Sequence, residues 1–136
     1  MSTDFYDAHQ RHFKDADTLY TSSRWANADH LYGMSAECGL KALMQSFGMM
    51  LQPNGAPARD DRKHMDNLLP RYEHYRSGHA AGARYALSLT TEFDNWNVNQ
   101  RYDHQSNFPQ SVVDPHKQAA LTISTLVQQA KLDGLL

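Results

Sequence analysis

At 136 residues, 40% of them hydrophobic, the chain has the length of one domain, 1–136, and apolar material for a modest core. A formal net charge of −2 excludes a protein held on nucleic acid by bulk charge alone, while leaving a local basic groove open. No apolar run has membrane length, no signal-peptide pattern opens the chain, and the lone Cys38 can form no internal disulfide, so a cytoplasmic protein with no membrane partner is expected.

A first helix is predicted over Asp4–Ser22, because Phe5, His9, Phe13, Ala16 and Tyr20 recur at steps of three and four. Thr21-Ser22-Ser23 reads as a break and cap. The second helix is predicted over Trp25–Phe47, with Gly48 closing it. Leu40, Leu43, Met44 and Phe47 share a face there with Tyr32 and Ala36, and small Gly33, Ser35, Ala36 and Gly39 would let another helix come close. Glu37 precedes Lys41 by four, the favourable order for an ion pair, which on most helices is a solvated surface feature. The pattern is that of the central helix of a tight bundle. Cys38, inside it, reads as a small buried hydrophobe.

Pro53, Asn54-Gly55 and Pro57 make residues 49–62 a loop. A third helix should start near His64 and carry Leu68, Leu69, Tyr72 and Tyr75, with Pro70 kinking or restarting it and Ser77-Gly78 ending it. Arg59, Arg62, Lys63, Arg71, Arg76 and Arg84 could form a positive edge, though a solvated helix face is the plainer reading. A fourth helix is expected over Ala80–Trp96, with Tyr85, Leu89, Phe93 and Trp96 on one face. Asn97 to Val113 is a second long loop, of the kind that is often functional. Asp114 as N-cap and Pro115 at the first helical position should open the last helix, whose buried face is Ala119, Ile123, Leu126 or Val127, and Ala130, and which Gly134 ends. No stretch alternates like a strand. The fold expected is an all-α bundle of about five helices with an up-down core of two long antiparallel helices.

Three segments, in order, resemble a known family. Ala36-Glu37-x-x-Leu40-Lys41-Ala42-Leu43 resembles the second-helix signature of small prokaryotic HEPN domains, the "higher eukaryotes and prokaryotes nucleotide-binding" family. Lys63-His64-Met65-Asp66-Asn67-Leu68-Leu69 resembles that family's His-x-x-x-Leu-Leu opening of the third helix, and Phe93 to Asp103, ending Arg101-Tyr102-Asp103, resembles its Arg-Tyr-Pro-Asp segment. The resemblance spans about residues 4–132. It implies a HEPN-like bundle that acts on RNA or a nucleotide and pairs as a homodimer. One implied function is a metal-independent endoribonuclease of a toxin–antitoxin, defence or stress system, with an antitoxin as partner. The other is a non-catalytic module that dimerises or escorts a nucleotidyltransferase or another protein.

HEPN ribonucleases, as a family, use an Arg followed about four to six residues later by a His, the imidazole taking the 2′-hydroxyl proton while the guanidinium steadies the phosphorane. Arg101 falls at the family position, but the next imidazole, His104, comes after only three residues. The resemblance thus makes Arg101 and His104 the catalytic candidates, with Tyr102, Asp103, Glu37 and Lys41 as ligand-binding candidates. Arg24 with His30 and Arg59 with His64 also satisfy the spacing, which eight Arg and eight His produce readily by chance. Arg101 could instead cap carbonyls or pair with Glu37 or Glu92, and Tyr102 could anchor the loop. Trp96 and Phe108 should pin the loop's ends, leaving Arg101 and His104 at the surface beside Glu37 and Lys41. His9 and His12 can share a helix face, but no His-Glu-x-x-His, Glu-x-x-His or Cys-x-x-Cys occurs, so neither metal nor other cofactor is expected.

Overall fold

In a computed structural model, which describes residues 2–88 and 91–136, the chain is an all-α bundle. Four α-helices form among the described residues: α1 (Phe5–Thr21), α2 (Trp25–Ser46), α3 (Met65–Ser77) and α4 (Gln110–Leu132). No strand forms among them; Leu51 and Pro57 make an isolated bridge across the loop between α2 and α3.

The first two helices lie close to where their periodicity and caps put them. Asp4 opens α1 by accepting the Asp7 N–H at 2.9 Å, and Ser23, at φ 57°, turns the chain into α2. His9 meets Ser35 while Tyr20 meets Tyr32, so α1 and α2 run antiparallel. Asp29 meets His116, and Gly39 lies against Ile123, so α4 runs the same way as α2. Most of α2 beyond its first turn is buried among the other three helices, and Ser35–Met44 without a break, as a central helix must be. Its glycines are spaces for neighbours: a Cβ on Gly33 would sit 2.0 Å from the Trp96 indole, and one on Gly39 would sit 2.8 Å from His9 and 2.9 Å from Ile123.

Three expectations are corrected. The helix expected over residues 80–96 does not form. Its place is taken by a 3-10 turn, Gly82–Tyr85, after which Ala86 is extended. Gly82 lies so close to α3 that a Cβ would fall 1.8 Å from the Arg76 carbonyl oxygen. The carbonyls a helix would bond internally go to side chains, Tyr85 O accepting from the Tyr72 hydroxyl at 2.6 Å and Gly82 O from Arg76 at 3.1 Å. Tyr85, Phe93 and Trp96 are nevertheless buried, reached by irregular chain rather than along one helix face; Leu89 lies outside the described residues.

The last helix starts a turn early, at Gln110, with Pro109 rather than Asp114 at its N-cap. Val113 is fully buried and draws that extra turn onto the core, while Asp114 accepts from the Tyr20 hydroxyl at 2.6 Å. Pro115 therefore sits in the second turn. Pro70 does not restart α3 either: the helix is continuous through it, and the bond the proline forgoes is to Asp66, in the opening turn.

Candidate functional site

Between the buried side chains Trp96 and Phe108 the chain crosses the surface in two short 3-10 turns, Val98–Tyr102 and Gln105–Asn107. Each turn is built by its own polar side chains. Asn97 and Gln100 form a reciprocal capping box on the first. His104 caps the second, its Nδ1 accepting the Ser106 N–H at 3.1 Å and facing the Ser106 hydroxyl at 2.8 Å. Asp103 accepts from the His104 N–H at 2.8 Å and from the Asn107 amide at 2.9 Å. The loop is long but internally tied.

A buried polar network fixes it to the bundle. Asp29 is fully buried; one carboxylate oxygen meets His116 Nδ1 at 2.6 Å and the other accepts from the Gln100 amide at 2.6 Å. The far nitrogen of His116 lies 2.7 Å from the Asn95 side-chain oxygen, and its ring stacks on Phe93. The Trp96 indole donates to the Asp29 carbonyl at 3.1 Å. A buried acid and imidazole with all their polar atoms satisfied hold their surroundings in one arrangement. Neither residue was among the candidates read from the sequence. One signal was available: His116 falls in register with Val113, Ala119, Ala120 and Ile123, which puts an imidazole on an apolar face and requires a partner for it.

The loop's own candidates are exposed. Arg101 donates to the Val98 carbonyl at 3.0 Å, and its guanidinium carbon lies 4.8 Å from the centre of the Tyr102 ring. Tyr102 is 78% exposed, so it does not anchor the loop; the anchors are Trp96 and Phe108. Beside it is a hollow of about 620 Å³ bordered by the amides Asn95, Asn97, Asn99, Gln100 and Asn107, together with Tyr102, Asp103, Phe108 and Val112. Amide side chains carry both donors and acceptors, as base edges do, and a stacked Arg–Tyr pair offers a planar face with a positive charge.

Glu37 and Lys41 are not beside this loop, and they are not solvated. Both are buried: Lys41 donates to Glu37 at 3.1 Å, the other Glu37 oxygen lies 3.1 Å from His64 Nδ1, and the Lys41 ammonium sits over the Phe5 ring. Asp29, where the loop attaches, is eight residues before Glu37, about 12 Å along α2. The constellation expected from the resemblance is thus two groups, one on the loop and one where α3 begins.

Between them sits His30, half-buried, its ring stacked on Trp96 at 6.0 Å and 11°. Its Nδ1 is sealed from solvent and has no hydrogen-bond partner. Burial first, then the Arg101 and His12 charges, pull its pKa below the ordinary imidazole value, against the opposing pull of Asp29 and Glu37.

Half of the basic segment is tied down within the fold. In the basic segment Arg62 holds Pro57 and Gln52, Arg71 holds Asp61 and Arg76 holds Glu73. Burial pushes the Cys38 thiol up to about 12, which leaves it a packed hydrophobe rather than a nucleophile. His9 spends its Nδ1 on Ser35, and among the described residues no three His, Cys, Asp or Glu side chains converge as metal ligands would. Compared with protein-family models, with curated proteins and with solved structures, the chain matches none.

Proposed function

We propose that this is a HEPN-like RNA-directed protein whose contact surface is the Asn97–Asn107 loop, and that its reaction is metal-independent cleavage of RNA. The observation that carries the reading is the exposed Arg101 guanidinium lying over the exposed Tyr102 ring, on a loop whose two ends are buried. Base stacking on an aromatic and a forked guanidinium for phosphate are the two elements of single-strand recognition, and they need no high net positive charge when concentrated at one place. In this reading the protein is a cytoplasmic homodimer of a toxin–antitoxin, defence or stress system, with an antitoxin as its partner.

A second reading, the non-catalytic module that escorts a nucleotidyltransferase or similar partner, draws on His104. Its Nδ1 accepts the Ser106 N–H, so the ring's proton is on the other nitrogen, which then donates rather than accepts. An imidazole fixed in that tautomer is a poor base for a 2′-hydroxyl. Fluorescence anisotropy with a labelled unpaired RNA separates the readings: the RNA-directed one requires saturable binding that Arg101→Ala weakens at least tenfold, and the module reading requires none.

A further inference from the structure

We infer that the hollow beside Tyr102 is a subsite for one unpaired guanine. The inference rests on the RNA reading above and names the base that the same loop selects.

The polar groups that border the hollow are held by bonds within the loop, and each keeps one defined end unused. Asn97 uses its side-chain oxygen to accept the Asn99 N–H at 2.8 Å, which leaves its NH2 group without a partner among the described residues. Asn107 donates from its NH2 group to Asp103 at 2.9 Å, which leaves its oxygen. One Asp103 oxygen accepts both that amide and the His104 N–H at 2.8 Å, which leaves the second oxygen. A backbone N–H donates and a carboxylate accepts, so chemistry fixes which end of each amide is used. Gln100 is taken at both ends, by the Asn97 N–H and by Asp29, and has nothing to offer a ligand.

The unused ends form a pattern. The bond between Asn107 and Asp103 makes their two remaining oxygens neighbours, a pair of acceptors, and the Asn97 NH2 adds a donor on the border of the same hollow. On its pairing edge guanine presents two adjacent donors, N1–H and the 2-amino group, followed by an acceptor, O6. No other RNA base does: adenine and cytosine set an amino group beside an acceptor, and uracil sets one N–H between two acceptors. That edge is accessible in an unpaired base, which is how single-stranded RNA is read. The Asp103 charge sharpens the match, since a hydrogen bond to an ionised acceptor is roughly twice as strong as a neutral one.

Tyr102 supplies the platform. Its ring borders the hollow, is 78% exposed, and has the Arg101 guanidinium over one face, so the other face is available for a base to stack on.

The test is fluorescence anisotropy of the whole chain with labelled short oligouridine strands that differ only in the central base: G, A, C, U or inosine. The strand with central G should bind at least about tenfold more tightly than those with A, C or U, the loss expected when a hydrogen bond to a charged group is not made. Inosine, which lacks only the 2-amino group, should lose most of that advantage. Asp103→Asn keeps the oxygen that holds the loop and turns the unused acceptor into a donor, so it should abolish the preference for G over U. Equal affinity for all the strands, with binding that Arg101→Ala still weakens, overturns the guanine assignment and leaves the RNA reading in place. A preference for another base does the same. A guanine preference that survives either inosine or Asp103→Asn puts recognition outside this hollow and also overturns the assignment. Binding of no strand overturns both readings. If circular dichroism finds Asp103→Asn unfolded, the inosine strand, which leaves the protein untouched, decides alone.

Discussion

Replacing Asp29 by alanine tests the attachment of the loop. The carboxylate is fully buried and serves two partners, His116 at 2.6 Å and Gln100 at 2.6 Å. Its removal strands the His116 Nδ1 in the core and cuts the bond to the loop. Breaking a buried pair from one side costs about 3–5 kcal/mol, most of it the penalty on the partner left behind. A chain of 136 residues melts with an entropy near 0.3 kcal/mol/K at about 2.1 cal/mol/K per residue, so the melting temperature should fall by about 10–17 °C. Thermal unfolding followed by circular dichroism measures this. Gln100→Ala, which removes the bond to Asp29 and the side-chain half of the capping box with Asn97, should cost about 1–2 kcal/mol, and the double variant should cost less than the sum because both changes remove the Asp29–Gln100 contact. A drop under 3 °C for Asp29→Ala, or strict additivity, would refute the claim that Asp29 joins the loop to α2 and α4.

Other predictions follow from the packing and the imidazoles. Gly39→Leu should overpack the contact between His9 and Ile123 and cost roughly 1–3 kcal/mol; an unchanged urea midpoint would mean that this face has room. His9, His12 and His30 all have pKa values lowered, by burial before any other cause. The unfolded chain therefore binds more protons as pH falls through 6.5, and stability should decrease from pH 7.5 to 5.5. A urea midpoint that held or rose over that range would contradict it. The homodimer reading predicts a light-scattering mass near twice the 15.5 kDa of one chain at high micromolar concentration, and a monomer mass would remove it.

How far the molecule could be read from its sequence depends on the distance over which each feature is decided. Helices α1 and α2 are set by periods and end signals within one segment, so Asp4, Gly48 and the Phe5–Tyr20 ladder were enough, and Ser77-Gly78 marks the end of α3 in the same way. Tyr85, Phe93 and Trp96 carry a helical period as well, but the carbonyls of Gly82 and Tyr85 are taken by Arg76 and Tyr72, on another element, and the segment does not open as a helix. At α4 the local capping signal of Asp114-Pro115 was outweighed by the burial of Val113. The same divide runs through the site. Exposure of Arg101 and burial of Trp96 and Phe108 followed from composition around the loop. The Asp29–His116 pair joins residues 87 apart, and the His30–Trp96 stack is also long-range, so neither could be read from spacing. Glu37 and Lys41 look like a surface pair by sequence; they are buried, and folding brings His64 and Phe5 against them.

The central claim is that the loop carrying Arg101 and Tyr102 is the surface that meets RNA. Its most direct test is an NMR titration of isotopically labelled protein with a short unpaired RNA, following backbone amides along the whole chain. The account predicts shifts concentrated at Asn97–Asn107, with the Arg59–Arg84 segment unmoved. Shifts confined to that basic segment, or none at millimolar RNA, would contradict it.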